Sequence, residues 1–297
     1  MAAAYLKPSK SEKVFNVFNI SLLTLFTITA LYPIIHVVMA SISDSNALIQ
    51  HSGILLTPVG DASLSAYKAV AQNPNILNGY MNTLFVLFVG VILQLIMTSL
   101  GAYFFSRRNV MWRDLLMFLV VFTMFFEGGM IPFYLTVRAL KLTNTRWSLI
   151  VPFLVSAYNL IIMRTSFAAI PVSLEESAKL DGASHWTVLF RIILPLSKPV
   201  IAVMILYYGV GAWNGWFWAS VFLRQRELYP LQLILREILI ANDVDSMTQG
   251  ASLADQEAIG ESIKYATIVV ATLPILCVYP FLQKYFVKGV MIGAVKG

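Results

Sequence analysis

The chain has 297 residues, of which 58% are hydrophobic and only 12% charged. A soluble domain carries about 25% charged residues, so lipid is the main solvent of this chain and a water-soluble globular fold is excluded. The formal charge of +6 fits a membrane topology, because Lys and Arg gather on the cytoplasmic flanks of spans, and it does not call for a nucleic-acid partner.

A helix needs about 20 residues to cross a bilayer, and six apolar runs are long enough. The first, about Phe15 to Ile42, is too long for the apolar core of a cleavable leader and lacks a small-residue cleavage site, so it reads as a retained span. The second runs from about Tyr80 to Phe105. The third, about Leu115 to Val137, is interrupted by Glu127-Gly128-Gly129, where a kink that faces protein is expected. Glu127 is a functional candidate if it lies inside the span, and an interfacial residue if it lies nearer the surface.

The fourth run, about Trp147 to Phe167, carries Arg164 near its inner end, where a long side chain can snorkel. The fifth runs from about Val200 to Leu223 and the sixth from about Tyr265 to Val287. The single cysteine, Cys277, lies in the sixth run. It excludes an intramolecular disulfide and a cysteine-cluster metal site, and reads as a small core residue. Together the runs predict an all-α integral membrane protein of six transmembrane helices in one domain, residues 1–297.

Positive charges set the orientation. Lys7, Lys10 and Lys13, then Arg107, Arg108 and Arg113, then Lys284, Lys288 and Lys296 share one side of a six-span chain. That side, with both termini, is cytoplasmic. The connections 44–79 and about 224–264 are then external. The second is acidic, with Asp243, Asp245, Asp255, Glu257 and Glu261, and by its charge reads as a solvated loop. The external turn with Arg138, Lys141 and Arg146 dissents from this pattern.

A charged island, about 168–199, falls on the cytoplasmic side. Ser173 and Glu176 have the spacing of a capping box, with Pro171 upstream and Gly182 downstream, so a helix is predicted over 174–181. Leu174, Ala178 and Asp181 would share one face. Ser184 can cap a second short helix carrying His185, Trp186, Leu189 and Phe190 and ending before Pro195. His185 reads as a surface residue. Two short helices joined by a glycine turn make a knob suited to a cleft on another protein. In the fifth run, Trp213, Trp216 and Phe217 would share a helical face, close to Tyr207, Tyr208, Asn214 and Trp218. Aromatic planes suit the apolar faces of sugar rings, and an amide serves hydroxyls. The alternative for Trp216 and Trp218 is the interfacial aromatic belt.

The pattern Glu176, Ala178, Gly182, Phe190, Leu194, Pro195 and Pro199 resembles the EAA loop of ATP-binding-cassette importer permeases, departing where Ser177 replaces an alanine. The tail 289–297 resembles that of the maltose importer's smaller permease. The segments 126–132 and 164–167, with Trp213-Asn214, resemble oligosaccharide importer permeases of the lipoprotein-linked and alginate systems. The resemblance implies a type I importer permease fold with cytoplasmic EAA coupling helices. It implies ATPase coupling through Glu175, Glu176, Ser177, Ala178, Asp181, Gly182 and Ala183, with Glu176 meeting a basic residue of the ATPase. It further implies an ATPase-contacting tail at Gly293, Lys296 and Gly297 and a contact of part of the 224–264 connection with a binding protein, while the residues themselves point to a substrate path near Tyr207, Trp213, Asn214, Trp216, Phe217 and Glu127.

The implied partners are a homologous second permease, two ATP-binding subunits, an extracytoplasmic solute-binding protein and an oligosaccharide, neutral or acidic such as an alginate or pectin fragment, in a bacterial cytoplasmic (inner) membrane. This chain has no Gly-x-x-x-x-Gly-Lys-Ser/Thr phosphate loop. ATP and Mg therefore belong to the partner subunits, and no catalytic residue, cofactor or metal is expected here. The competing class is an ion-coupled secondary transporter, but paired inverted repeats are not visible. A membrane-embedded enzyme would need a polar cluster inside the spans, and the only histidines are His36, His51 and His185.

Overall fold

The computed structural model describes residues 9–107, 109–240, 260–278 and 280. The predicted tail contacts Gly293, Lys296 and Gly297, most of the acidic loop, and Lys7, Arg108, Lys284 and Lys288 lie outside the described residues. The described elements are helical. They group into two compact units, one within 1–72 and 242–270 and the other within 73–241 and 271–297.

In the first unit, α1 (Lys10–Ser41) starts at a capping box: Ser9 Oγ accepts from the Glu12 N–H and the Glu12 carboxylate accepts from the Ser9 N–H. Its long apolar stretch is unburied by protein, as a lipid-facing span should be. Asp44 caps the short α2 (Ser45–Gln50), and Ser43 Oγ and the Asp44 N–H hold the Val59 backbone. The unit is completed by α3 (Ser65–Gln72), tied by the Ser41–Tyr67 hydroxyl pair at 2.7 Å.

The second unit is built on α4 (Pro74–Ser106), 33 residues and about 50 Å long. It continues through α5 (Arg113–Phe125), α6 (Met130–Ala139), two short 3-10 turns over 146–153, and α7 (Ala157–Ala168). The charged island forms α8 (Val172–Leu180), α9 (His185–Val188), a π-helical turn at Leu189–Ile193 and α10 (Leu194–Leu196). Then follow α11 (Lys198–Trp213), α12 (Phe217–Phe222) and α13 (Leu231–Ile240). The last described helix, α14, is Gly260–Val278.

Among the described residues, α1, α4 and α14 are long and apolar enough to cross a membrane singly. Three further spans arise if each bent pair counts as one: α5 with α6 at 117°, the 3-10 turns with α7 at 49°, and 185–196 with α11 at 84°. The expected third span is therefore not one straight helix. Its chain turns sharply at Glu127-Gly128-Gly129, with Gly129 at φ +81°, and Glu127 lies at the bend, uncovered by the rest of the chain. The expected fifth span likewise stops at Trp213, with Asn214 as its C-cap. Cys277 is exposed, not a core residue; in a chain solvated by lipid an apolar position need not be covered by protein.

Helix α4 packs against α7, α11 and α13. Polar pins fix the last contact. Asn82 donates to the carbonyls of Glu227 (2.7 Å) and Tyr229 (3.1 Å), and Thr83 Oγ1 accepts from the Leu231 N–H at 2.9 Å. Arg146 donates to Asn82 Oδ1 and lies over the Phe85 ring, so one of the charges that dissented from the topology rule is held inside the fold. Small residues let helices in membranes approach closely, and Gly79 is the tightest case here. A Cβ on it would stand 2.6 Å from Ile234 Cδ1 and 3.1 Å from the Leu231 Cα. Gly79→Val is expected to destabilise the folded chain by about 1–3 kcal/mol, seen as a lower Tm in detergent. Gly209→Ala, whose Cβ would meet nothing within 4 Å, should leave the Tm unchanged or raised.

Candidate functional site

The knob is assembled from local sequence signals, some of which act differently from expectation. Helix α8 begins at Val172 with Pro171 as N-cap and no side-chain cap bond, so the Ser173–Glu176 capping box does not form. Proline at the boundary already fixes the entry, and it moves Ser173 inside the helix. The exit matches expectation. Gly182 sits at φ +80°, its N–H donates to the Lys179 carbonyl, and the Ala183 N–H reaches back to the Ala178 carbonyl at 2.9 Å, a Schellman closure. Ser184 accepts from the Thr187 N–H and caps α9 as predicted. The helical path does not stop before Pro195. It runs on to Leu196, because the π-helical turn directly upstream is the kind of ladder irregularity that accommodates a proline.

The buried face of α8 differs from the predicted Leu174–Ala178–Asp181 stripe. Glu175 is the buried residue, 5% exposed, and Ala178 packs half-buried against the core. Arg107, at the C-cap of α4, donates to Glu175 Oε2, and Lys179 Nζ lies 2.9 Å from Glu175 Oε1. Arg107 also lies over the Tyr103 ring, whose hydroxyl is 3.2 Å from His185 Nδ1. Both knob helices are thus bolted to the last turn of α4. Arg164, expected to snorkel, donates to the Phe105 carbonyl, and Arg113 to the Arg107 carbonyl, satisfying acceptors that a helix end leaves open. Beneath the knob, Val188, Leu189 and Ile193 join Ala102, Met163 and Phe167 in a buried apolar cluster.

The outer face is different in kind. Glu176, Ser177, Asp181 and Gly182 are exposed. So are Leu174 (44%), Leu180 (90%), Trp186 (61%) and Phe190 (56%), with Trp186 and Phe190 stacked 6.0 Å apart. A surface that mixes ionised groups with large apolar side chains suits neither hydrocarbon nor bare water.

A second site lies within the same unit. A cavity of about 450 Å³ opens between α4, the 3-10 turns, α7 and α11. Gln94, Asn159, Tyr207, Tyr208 and Trp218 are among its lining. Tyr208 bonds to Thr98 at 2.7 Å and accepts from the Ser156 N–H. Of the predicted path residues, Tyr207 lines this cavity and the others do not. Trp213 is buried edge-on against Tyr80 at 6.3 Å. Asn214 caps α11, Trp216 lies under the Arg236 guanidinium at 4.9 Å, and Phe217 opens α12 beside Trp216. The shared face of Trp213, Trp216 and Phe217 does not exist, because the helix breaks between them. Glu127, at its exposed bend, is not part of the lining.

Sequence reasoning missed Gln94, Asn159 and the structural role of Arg107. Polar residues inside apolar runs were the available signal for the first two. Arg107 was read only as a topology charge.

Burial alone would raise the Glu175 carboxyl. The Lys179 and Arg107 hydrogen bonds, with the two charges, outweigh it and hold the group below its ordinary 4.5. A lowered folded value means that the bolt's contribution is complete above pH 4.5 and disappears as the pH falls through that lowered value. Protection over 172–196, taken relative to the intrinsic amide exchange rate at each pH, should therefore fall on acidification below the ordinary carboxylate range. Glu175→Gln should show the lower protection already at neutral pH, without that acid limb.

The profile of the family described as "Binding-protein-dependent transport system inner membrane component" matches residues 1–292. Protein LplC of Bacillus subtilis (strain 168) is 42% identical over 289 residues, covering 97% of each chain. The polygalacturonan/rhamnogalacturonan transport system permease protein YtcP of the same organism is 40% identical over 290 residues, covering 96% of this chain and 99% of that one. Among solved structures, a chain of a bacterial ABC transporter involved in the import of the acidic polysaccharide alginate superimposes with a TM-score of 0.89 at 37% identity, covering 95% of this chain and 99% of that one.

Proposed function

The chain belongs to the family of binding-protein-dependent transport system inner membrane components, and from that premise we propose that it is one permease subunit of an ATP-driven oligosaccharide importer. Its solute is an oligosaccharide of the kind its relatives carry, acidic fragments of pectin or alginate included. It works with a second, homologous permease, two ATP-binding subunits and an extracytoplasmic binding protein, in the cytoplasmic membrane with both termini inside. ATP is hydrolysed on the partner subunits, with their Mg.

The observation that carries this reading is the two-sided knob. Its inner face is bolted to α4 through Arg107 and Glu175, and its outer face leaves Glu176, Leu174, Trp186 and Phe190 for a partner. A docked ATPase that opens and closes its cleft would carry the knob with it as a rigid body. The 84° bend ahead of α11 makes the direct chain connection a poor lever. α4 is continuous from the bolt at Arg107 back to the cavity wall at Gln94, a path of about 20 Å. Motion of the knob is thereby delivered to the cavity.

The test is reconstitution of the assembled complex in proteoliposomes with its binding protein. Uptake should depend on ATP, and one class of oligosaccharide should stimulate hydrolysis. Glu176→Gln should insert and assemble normally, while solute-stimulated ATPase falls by about tenfold or more, the size of a lost charge-assisted hydrogen bond. Uptake driven by an ion gradient without ATP would replace this reading with a secondary transporter.

A further inference from the structure

The first unit holds a cavity of its own, about 390 Å³, that solute transport does not use. His36 of α1, His51 just after α2, and Glu261 and Tyr265 of α14 line it, together with the buried Leu48 and Leu55. Its depth in the bilayer follows from α1. Uncovered apolar side chains recur along that helix from Val14 to Ile35, about 33 Å of helix, which matches a hydrocarbon core of about 30 Å. His36 is the next residue, so the cavity stands where hydrocarbon gives way to headgroups. The chain beside it suits that depth. Ile49, Ile54 and Leu56 are all uncovered, Ile54 at 71% exposure, as apolar side chains at the boundary of headgroups and acyl chains can be. The polar lining is not a metal site: among the described residues no three His, Cys, Asp or Glu side chains converge on a metal position. Nor is it consumed by the fold. Glu261 is met by Lys264 at 2.8 Å but keeps 37% of its side chain exposed. His51 is exposed, and His36 approaches the Tyr32 hydroxyl at 3.5 Å, the outer limit of a hydrogen bond.

We propose that this cavity binds the headgroup of an amine-bearing phospholipid, phosphatidylethanolamine, drawn from the bilayer beside α1. That headgroup carries two separated charges, and the lining has a function for each. The ammonium donates to the Glu261 carboxylate, and the phosphate oxygens accept from the imidazole N–H groups of His36 and His51. The acyl chains lie along α1, whose apolar stretch no other part of the chain covers. The lining has a carboxylate but no Lys or Arg, which disfavours an anionic headgroup such as phosphatidylglycerol. A quaternary choline has no N–H to donate to Glu261. The volume, about 390 Å³, lies within the range of small-molecule sites, about 300–1,000 Å³. Placement in the outer leaflet rests on the orientation proposed above, with both termini inside; the site itself does not depend on which solute is carried.

The test places the full complex in nanodiscs of phosphatidylethanolamine, phosphatidylcholine and phosphatidylglycerol in equal parts, and identifies by native mass spectrometry the lipids that stay bound after release. Wild type should keep a phosphatidylethanolamine that Glu261→Gln and His51→Ala lose. Its retention over phosphatidylcholine should fall about tenfold or more in either variant, the size of a hydrogen bond to a charged group. Asp61→Asn, which changes an exposed carboxylate outside the lining, should keep the lipid. Assembly of each variant is checked by co-purification, and if Glu261→Gln does not assemble, the exposed His51 carries the comparison. Undiminished retention in an assembled Glu261→Gln or His51→Ala complex overturns the site. So does a wild type that keeps phosphatidylglycerol or phosphatidylcholine in its place, or no lipid. Soluble glycerophosphoethanolamine, added to phosphatidylcholine nanodiscs, separates the lipid from its free headgroup. It should not be retained, and retention equal to that of the lipid would overturn the lipid assignment. Retention is read without transport, so a complex that keeps the lipid but imports no oligosaccharide would remove the importer reading and leave this site standing.

Discussion

A carboxylate taken out of water must be paired or neutralised, and Glu175 meets that constraint by pairing with Arg107 and Lys179. Removing one partner of a buried pair typically costs about 3–5 kcal/mol, so the position of α8 is not negotiable once Glu175 is buried. The rest of the second unit follows from that anchor. Arg107 caps the helix that also forms the cavity wall, Tyr103 one turn earlier reaches His185, and the apolar cluster beneath the knob closes the space between them. The knob is therefore a rigid extension of α4, although in sequence it lies between α7 and α11.

This arrangement explains a division of labour between adjacent glutamates. Glu175 faces inward and is consumed by the fold, while Glu176 faces outward and is free to meet another chain. A motif that reads as a cluster of acidic and small residues is in fact two surfaces of one short helix. The same logic separates the aromatic side chains near the end of α11. Trp213 is packed against Tyr80 and Trp216 takes the Arg236 guanidinium on one face, whereas Tyr207 and Trp218 line the cavity.

Much of this was legible in the sequence for stated physical reasons. Apolar length located the long helices α1, α4 and α14, the Gly182 turn and the Ser184 cap gave the exit and re-entry of the knob, and Glu127-Gly128-Gly129 marked a break. What could not be read was long-range. The pairing of Arg107 with Glu175 joins residues 68 apart, and no local spacing encodes it. The break at Asn214 overrode a helical face that periodicity alone supported, because backbone termination at Asn214-Gly215 outweighs an aromatic stripe. The capping box at Ser173 lost to Pro171, which set the helix start two residues early. Gln94 and Asn159 stood in apolar runs as ordinary polar residues, and only packing showed that they share a cavity.

The central claim is that the Arg107–Glu175 pair carries the movement of the docked ATPase into α4. The most direct measurement is a double-mutant cycle on solute-stimulated ATPase in the reconstituted complex, using Arg107→Leu, Glu175→Leu and the double variant. If the pair acts as one strut, each single variant loses stimulation by about tenfold, and the double variant is no worse than either, giving a coupling energy above about 1 kcal/mol. Additive losses, with the double variant down by the product of the two, would show that the residues act independently and that coupling reaches the cavity by another route.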